Sequence, residues 1–78
     1  MKTVQISLNS IDKVKSFVND ITKFDYDFDL VSGIYVIDAK SIMGIFSLDL
    51  SKAIDLNIHA DNDSDVAEIL EVLKPYLV

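Results

Sequence analysis

Apolar and polar residues alternate along three segments of the chain, which is the pattern of strands with one buried face. These segments are residues 3–8, 25–30 and 53–60. Ser32 and Gly33 follow the second segment and predict a tight hairpin turn, which leads into a further strand over residues 34–37. The pattern therefore predicts four strands, each with an apolar face to bury.

Helical spacing of apolar residues predicts a helix near each end of the chain. The first covers about residues 11–24, and Asn9 and Ser10 supply capping side chains before it. Its apolar stripe consists of Ile11, Val14, Phe17, Val18, Ile21 and Phe24. The last helix follows an acidic turn at residues 61–65, and we expect Pro75 to disturb its end. Its stripe consists of Val66, Ile69, Leu70, Leu73 and Leu77.

A third, short helix is predicted after Ser41, whose hydroxyl can accept from the free N–H groups of the first turn. Gly44 costs a helix about 1 kcal/mol relative to Ala, so we expect close backbone approach or a bend there. Two interpretations fit the apolar residues of this segment. Either all of them face the core, or some stay exposed as a docking surface, because a short helix buries only one side. These residues are Ile42, Met43, Ile45, Phe46 and Leu48.

The predicted order is β-α-β-β-α-β-α within one domain, residues 1–78. Since apolar and polar residues alternate along the strands, one face of the sheet is exposed to solvent and the other carries the helices. This arrangement is an open-faced α+β sandwich.

The amino-acid composition excludes some classes of partner and of binding site. Seven basic and 13 acidic residues give a net charge of 7 − 13 = −6, which argues against nucleic-acid and anionic-membrane partners and favours a basic protein. The chain has no cysteine, so disulfides and thiolate metal sites are excluded. No basic leader and no run of ~20 apolar residues is present, so we expect a soluble cytoplasmic protein.

The segment Lys40–Leu48, KSIMGIFSL, resembles the K-S-I-M-G-x-x-S-L segment of HPr, the small phosphocarrier of the bacterial sugar phosphotransferase system. The resemblance continues more loosely through Ile58-His59-Ala60, the acidic turn and the last helix. With the first part of the chain included, it covers all 78 residues. It implies the HPr-like open-faced β-sandwich, with a four-stranded antiparallel sheet and the helices on one face.

In the HPr family a histidine at the start of the first helix carries the phosphoryl group, within a G-x-H-A-R-P-A motif. Alignment of the first helix places Ser10 at the histidine, Asp12 at the arginine and Lys13 at the proline. One like-charge contact of Asp12 with phosphate costs on the order of 4 kcal/mol at ~4 Å and an effective dielectric constant near 20. The resemblance therefore predicts that the phosphohistidine relay is lost and that no residue is catalytic.

The serine of K-S-I-M-G is the target of an ATP-dependent kinase in Gram-positive relatives, which makes Ser41 the candidate for regulatory phosphorylation. Alternatively, Ser41 serves only as the N-cap of the short helix. Ile42, Met43 and Phe46 match the apolar patch through which HPr-like proteins contact partners, and core packing remains the alternative for Phe46.

Two other groups of side chains, one histidine and three aspartates, have the chemistry of a site. His59, the one histidine of the chain, shares its strand face with Asp55 and Asn57 and is predicted to be solvated. Asp25, Asp27 and Asp29 lack the glycine and glutamate of a calcium loop. Spaced by about 6.5–7 Å along a strand, they cannot all chelate one ion. We expect a solvated strand edge and no metal.

These observations predict a regulatory or protein-binding HPr-like module that needs no cofactor and is not an enzyme. The candidate partners are phosphotransferase-system components, an HPr kinase or a transcriptional regulator. Two alternatives remain: a working phosphocarrier with an atypical acceptor, and a structural or ligand-binding α+β domain without a link to phosphotransfer. A dimer through an edge strand is compatible with the pattern, which does not require it.

Overall fold

The computed structural model describes all 78 residues, and its elements follow the predicted order. The strands are β1 (Lys2–Ile6), β2 (Phe28–Ser32), β3 (Tyr35–Asp38) and β4 (Ile54–Ile58). The helices are α1 (Ile11–Ile21), α2 (Ile42–Phe46) and α3 (Asp63–Leu73), and a 3-10 turn over Lys74–Tyr76 follows α3. None of the helices has the length and apolar character that crossing a bilayer requires.

The strands form one antiparallel sheet in the order β1-β4-β2-β3. Its inner face is apolar: Leu30, Leu56 and Ile58 are fully buried with residues of the helices, and no charged side chain is buried. Its outer face is polar, and the hydroxyl of Thr3 donates to Asn57 Oδ1 at 2.8 Å. The predicted open-faced α+β sandwich is confirmed.

The ends of α1 and β2 differ from the prediction. α1 ends at Ile21, because the N–H of Phe24 donates to the carbonyl of Ile21 and closes a turn. Residues 22–27 connect α1 to β2, which begins at Phe28, where pairing with Ile58 of β4 starts. In this connection the hydroxyl of Tyr26 donates to a carboxylate oxygen of Asp65 at the start of α3.

Pro75 disturbs the end of the last helix, as predicted. Pro75 has no N–H to continue the helix, so the chain passes into the 3-10 turn after Leu73. Tyr76 is buried there, with its ring edge-on to Phe17 at 5.6 Å between centroids. Leu77, predicted in the apolar stripe, is exposed instead.

The β2–β3 hairpin turns one residue later than predicted. Ser32 pairs with Tyr35, so the turn consists of Gly33 and Ile34. Gly33 has φ = +62° and is the one residue of the chain with positive φ. Glycine at the first central position is the pattern of a type II′ turn, whose twist matches that of the strands it joins.

The two edges of the sheet differ in whether other residues cover them. Beside β1, Leu77 bridges to Ile6, and the N–H of Val78 donates to the carbonyl of Gln5 at 3.1 Å. The C-terminal residues therefore cover part of the β1 edge. No strand pairs with the outer edge of β3.

Candidate functional site

Ser41 caps α2, as predicted. Its Oγ accepts from the N–H of Gly44 at 3.3 Å, and its carbonyl accepts from the N–H of Ile45 at 3.0 Å. The residue as a whole is exposed. The hydroxyl therefore stabilises the first turn of the helix while remaining within reach of another protein.

Gly44 allows the close approach that its position in a helix predicted. A Cβ at this position would lie 3.2 Å from Oγ of Ser41 and 3.3 Å from Cδ1 of Ile37 in β3. Such contacts are tighter than ordinary van der Waals distances, so any side chain here would push against the Ser41 cap. The glycine thus keeps the Ser41 hydroxyl close to the helix backbone.

The apolar residues of the α2 segment do not all face the core. Ile45 is fully buried, whereas 77% of Met43 and 40% of Phe46 are exposed. Ile42 is partly buried against the core. The interpretation in which all five apolar residues of this segment pack inside is therefore wrong. We call Ile42, Met43 and Phe46 the α2 patch; it lies directly beside Ser41 in the chain.

Lys40 is a residue of this region that sequence reasoning did not single out. Its Nζ donates to the carbonyl of Phe24 at 2.8 Å and lies 5.6 Å from the centroid of the Phe28 ring. These contacts attach the residue before Ser41 to the connection between α1 and β2 and to the start of β2. No local sequence signal indicates them, because the partners come from distant parts of the chain.

Ser10 is the cap of α1, and its Oγ accepts from the N–H of Lys13 at 3.1 Å. Asp12 is exposed in the first turn. Asp12 and Lys13 line a shallow groove of about 310 Å³ with Ser16, Pro75 and Tyr76. The groove therefore holds no imidazole, and its one cation stands beside a carboxylate.

His59 lies on the outer face of the sheet, as predicted. Its Nε2 is 2.6 Å from Oδ2 of Asp29, and its backbone N–H donates to the carbonyl of Asp27 at 3.0 Å. The expected shared strand face of the three aspartates is wrong, because Asp25 and Asp27 precede β2. No group of three or more His, Cys, Asp or Glu side chains is arranged to hold a metal ion.

The largest groove of the molecule, about 450 Å³, lies between the tip of the β2–β3 hairpin and the loop after α2. Ile34, Tyr35, Asp49 and Lys52 are among its lining residues. The hydroxyl and N–H of Ser51 both bond the carboxylate of Asp49, and these bonds lower the pKa of Asp49. Asp49 is therefore held ionised by the loop that carries it.

The sequence and the fold both match one known family. The family model described as the PTS HPr component phosphorylation site matches residues 13–77. The chain belongs to the HPr family. Ser41 and the α2 patch lie within the matched range, whereas Ser10 and Asp12 lie before it.

Solved HPr structures are similar over nearly the whole chain. HPr-C-His from Thermoanaerobacter tengcongensis is 28% identical with a TM-score of 0.73, and the match covers 94% of this chain and 90% of that one. The phosphocarrier protein HPr from Bacillus anthracis str. Ames is 30% identical with a TM-score of 0.70, and the match covers 99% of this chain and 94% of that one. No protein with curated information matches significantly. The protein is thus an HPr-fold, phosphocarrier-like relative of the phosphotransferase system.

Proposed function

We propose that this HPr-family protein is a regulatory, protein-binding module of one domain, residues 1–78, that does not relay phosphate through a histidine and is not an enzyme. The observation that carries the proposal is the exposed Ser41 hydroxyl at the start of α2, next to the exposed side chains of Met43 and Phe46. Ser41 would be the switch, and the α2 patch the docking surface that the switch controls.

Two features at the start of α1, and the position of the one histidine on the sheet, support the absence of a relay. Ser10 stands where the family histidine aligns, and its Oγ already caps the helix by accepting from Lys13. Asp12 replaces the family arginine, so a phosphoryl group here would face a carboxylate. His59, the one imidazole of the chain, is bonded to Asp29 on the sheet.

The effect of phosphate on Ser41 follows from charge. Phosphorylation adds about −1.5 to −2 charges at pH 7 beside the α2 patch of a chain whose net charge is already −6. A partner that recognises the modified form would pair arginine or lysine side chains with the phosphate and cover Met43 and Phe46 with apolar ones. Phosphotransferase-system proteins and transcriptional regulators are the partner classes that family membership suggests.

The first test is the intact mass of the protein after incubation with ATP and a Gram-positive HPr kinase. We expect one added phosphoryl group on the wild type and none on Ser41→Ala. Ser47→Ala is the matched control, since Ser47 lies at the other end of the same helix and bonds the carbonyl of Gly44; it should be phosphorylated like the wild type. No addition to a folded wild type, or addition to Ser41→Ala, would contradict the switch.

The second test addresses the relay. Incubation with phosphoenolpyruvate and the upstream enzyme of the system should leave the wild type unmodified. The triple variant Ser10→His, Asp12→Arg and Lys13→Pro restores the family residues, and we expect it to gain an acid-labile phosphoryl group. Labelling of the wild type at any residue would refute the loss of the relay and favour a phosphocarrier with an atypical acceptor.

A further inference from the structure

Sulfur occurs at two positions in the chain, Met1 and Met43, and there is no cysteine. Met1 precedes β1, whereas Met43 lies in α2. Met1 is 74% exposed and Met43 is 77% exposed. Both thioethers are therefore open to a small oxidant from the solvent, and Met43 is the only sulfur inside an element of the fold.

Met43 contributes to the surface of α2 and not to the core beneath it. Ile45 of the same helix is fully buried, and Ile42 packs partly buried against the core. Met43 belongs to neither group, and it is the most exposed residue of the α2 patch. A change in the polarity of its side chain therefore alters the α2 patch without disturbing the packing of the fold.

We propose that Met43 is a site of reversible oxidation by hydrogen peroxide and that its sulfoxide weakens docking at the α2 patch, an inference that rests on the function proposed above. A lone pair of Met43 Sδ attacks one oxygen of the peroxide, and the O–O bond breaks. The proton of the new S–OH group passes to the departing hydroxide, which leaves as water. Sulfur is oxidised and the peroxide is reduced by two electrons. Methionine sulfoxide reductases restore the thioether.

The sulfoxide acts on docking because its oxygen is a polar acceptor on an apolar surface. The other residues of α2 are Ile, Gly, Ile and Phe, so the helix has no side-chain donor for this oxygen. An apolar partner that covers Met43 and Phe46 would have to strip water from the oxygen without replacing its hydrogen bonds, which is unfavourable. Oxidation therefore opposes binding at the residue that lies two positions after the Ser41 switch.

The first experiment locates the oxidation. The wild type is treated with hydrogen peroxide, the peroxide is removed, and the protein is digested with trypsin. Cleavage after Lys40 and Lys52 gives a peptide, residues 41–52, in which Met43 is the only sulfur. We expect this peptide to gain one oxygen atom at a rate similar to that of Met1, and to lose it again with methionine sulfoxide reductases. The circular dichroism spectrum and the urea midpoint should not change. A peptide that stays unoxidised while Met1 reacts would overturn the proposal, as would unfolding of the oxidised protein.

The second experiment measures the apolar character of the α2 patch without any protein partner. Retention on a phenyl column increases with exposed apolar surface, so the oxidised wild type should elute earlier than the reduced one. Met43→Leu keeps an apolar side chain of similar volume but has no sulfur at this position. Under the same treatment only its Met1 can react, so its retention should change much less.

The third experiment uses a Gram-positive HPr kinase as the docking probe, with ATP and Ser41 as the acceptor. Oxidation of the wild type should raise KM for the protein about tenfold, the size expected for one well-packed interface residue, and should leave kcat nearly unchanged. Met43→Leu should keep its KM before and after peroxide. Met43→Gln, which places a polar group at the same position, should show the raised KM without peroxide.

The outcomes separate this inference from the proposed function. Unchanged retention of the oxidised wild type would overturn the inference, and so would an unchanged KM of a wild type that the kinase does phosphorylate. An equal rise in KM for Met43→Leu would also overturn it, because the effect would then arise at Met1. If the reduced wild type is not phosphorylated, the Ser41 switch fails, and the column alone decides whether oxidation of Met43 removes the apolar character of the α2 patch.

Discussion

At the residue scale, the hydroxyl of Ser41 combines a structural contact with the proposed switch. Because its Oγ caps α2, Ser41→Ala should lower the free energy of unfolding by about 1 kcal/mol. Ser41→Asp keeps a capping oxygen, so its free energy of unfolding should be close to that of the wild type. Urea unfolding followed by circular dichroism measures both changes. Equal stability of Ser41→Ala and the wild type would show that the cap contributes nothing.

Gly33 is the residue whose conformation other side chains tolerate least. A Cβ at this position would meet no atom within 4 Å, so the cost of substitution arises from its positive φ alone. Gly33→Ala should lower the free energy of unfolding by about 1 kcal/mol. Gly33→Asn should lose less, because Asn accepts such a conformation more readily. Urea unfolding of the two variants would contradict this account if Ala were the better tolerated of the two.

At the element scale, the hydroxyl of Tyr76 connects the C-terminal 3-10 turn to α1 by donating to Asp20 Oδ2 at 2.9 Å. Burial, and then the bond to Asp20, raise the pKa of Tyr76 above its ordinary value of 10.0. The folded chain therefore holds this proton more tightly than the unfolded chain. The resulting stabilisation is complete below the ordinary pKa and is lost as the pH rises through the raised pKa.

We expect the free energy of unfolding of the wild type to fall as the pH rises above 10. The free energy of unfolding of the Tyr76→Phe variant should fall less steeply. At pH 7 the same variant should lose about 1 kcal/mol, because the hydrogen bond to Asp20 is removed. Urea unfolding between pH 7 and pH 11 measures both effects. Identical pH profiles for the variant and the wild type would contradict the role of Tyr76. The bond to Asp65 also raises the pKa of Tyr26. Because Tyr26 is present in both the wild type and the Tyr76→Phe variant, its contribution is common to both pH profiles.

Elements were easier to predict from the sequence than their ends or their long-range contacts. Local apolar spacing predicted three of the strands and the two long helices, and the turn residues before β3 predicted the fourth strand. The serine and glycine of the α2 segment predicted the short helix, its cap and the close approach. The start of β2 depends on its register with β4, which local spacing does not contain. The partners of Lys40 and His59 lie 16 and 30 residues away in the chain, so no local pattern could predict those bonds.

At the scale of the whole molecule, the 16 buried residues form one cluster to which sheet and helices both contribute. The chain should therefore unfold in a single cooperative transition, with a urea dependence of about 1–3 kcal/mol per molar. Coincident transitions by far-ultraviolet circular dichroism and by tyrosine fluorescence would agree with one domain. Two separated transitions would contradict it.

The strand order also has a consequence for synthesis on the ribosome. β1 is made first, yet its partner in the sheet is β4, with Lys2 opposite Ile58. The nascent chain can form α1 and the β2–β3 hairpin early, but β1 has no strand to join until residues 54–58 have been translated. The apolar face of β1 therefore stays open to chaperones until then, and completion of the sheet is a late event that closes long loops.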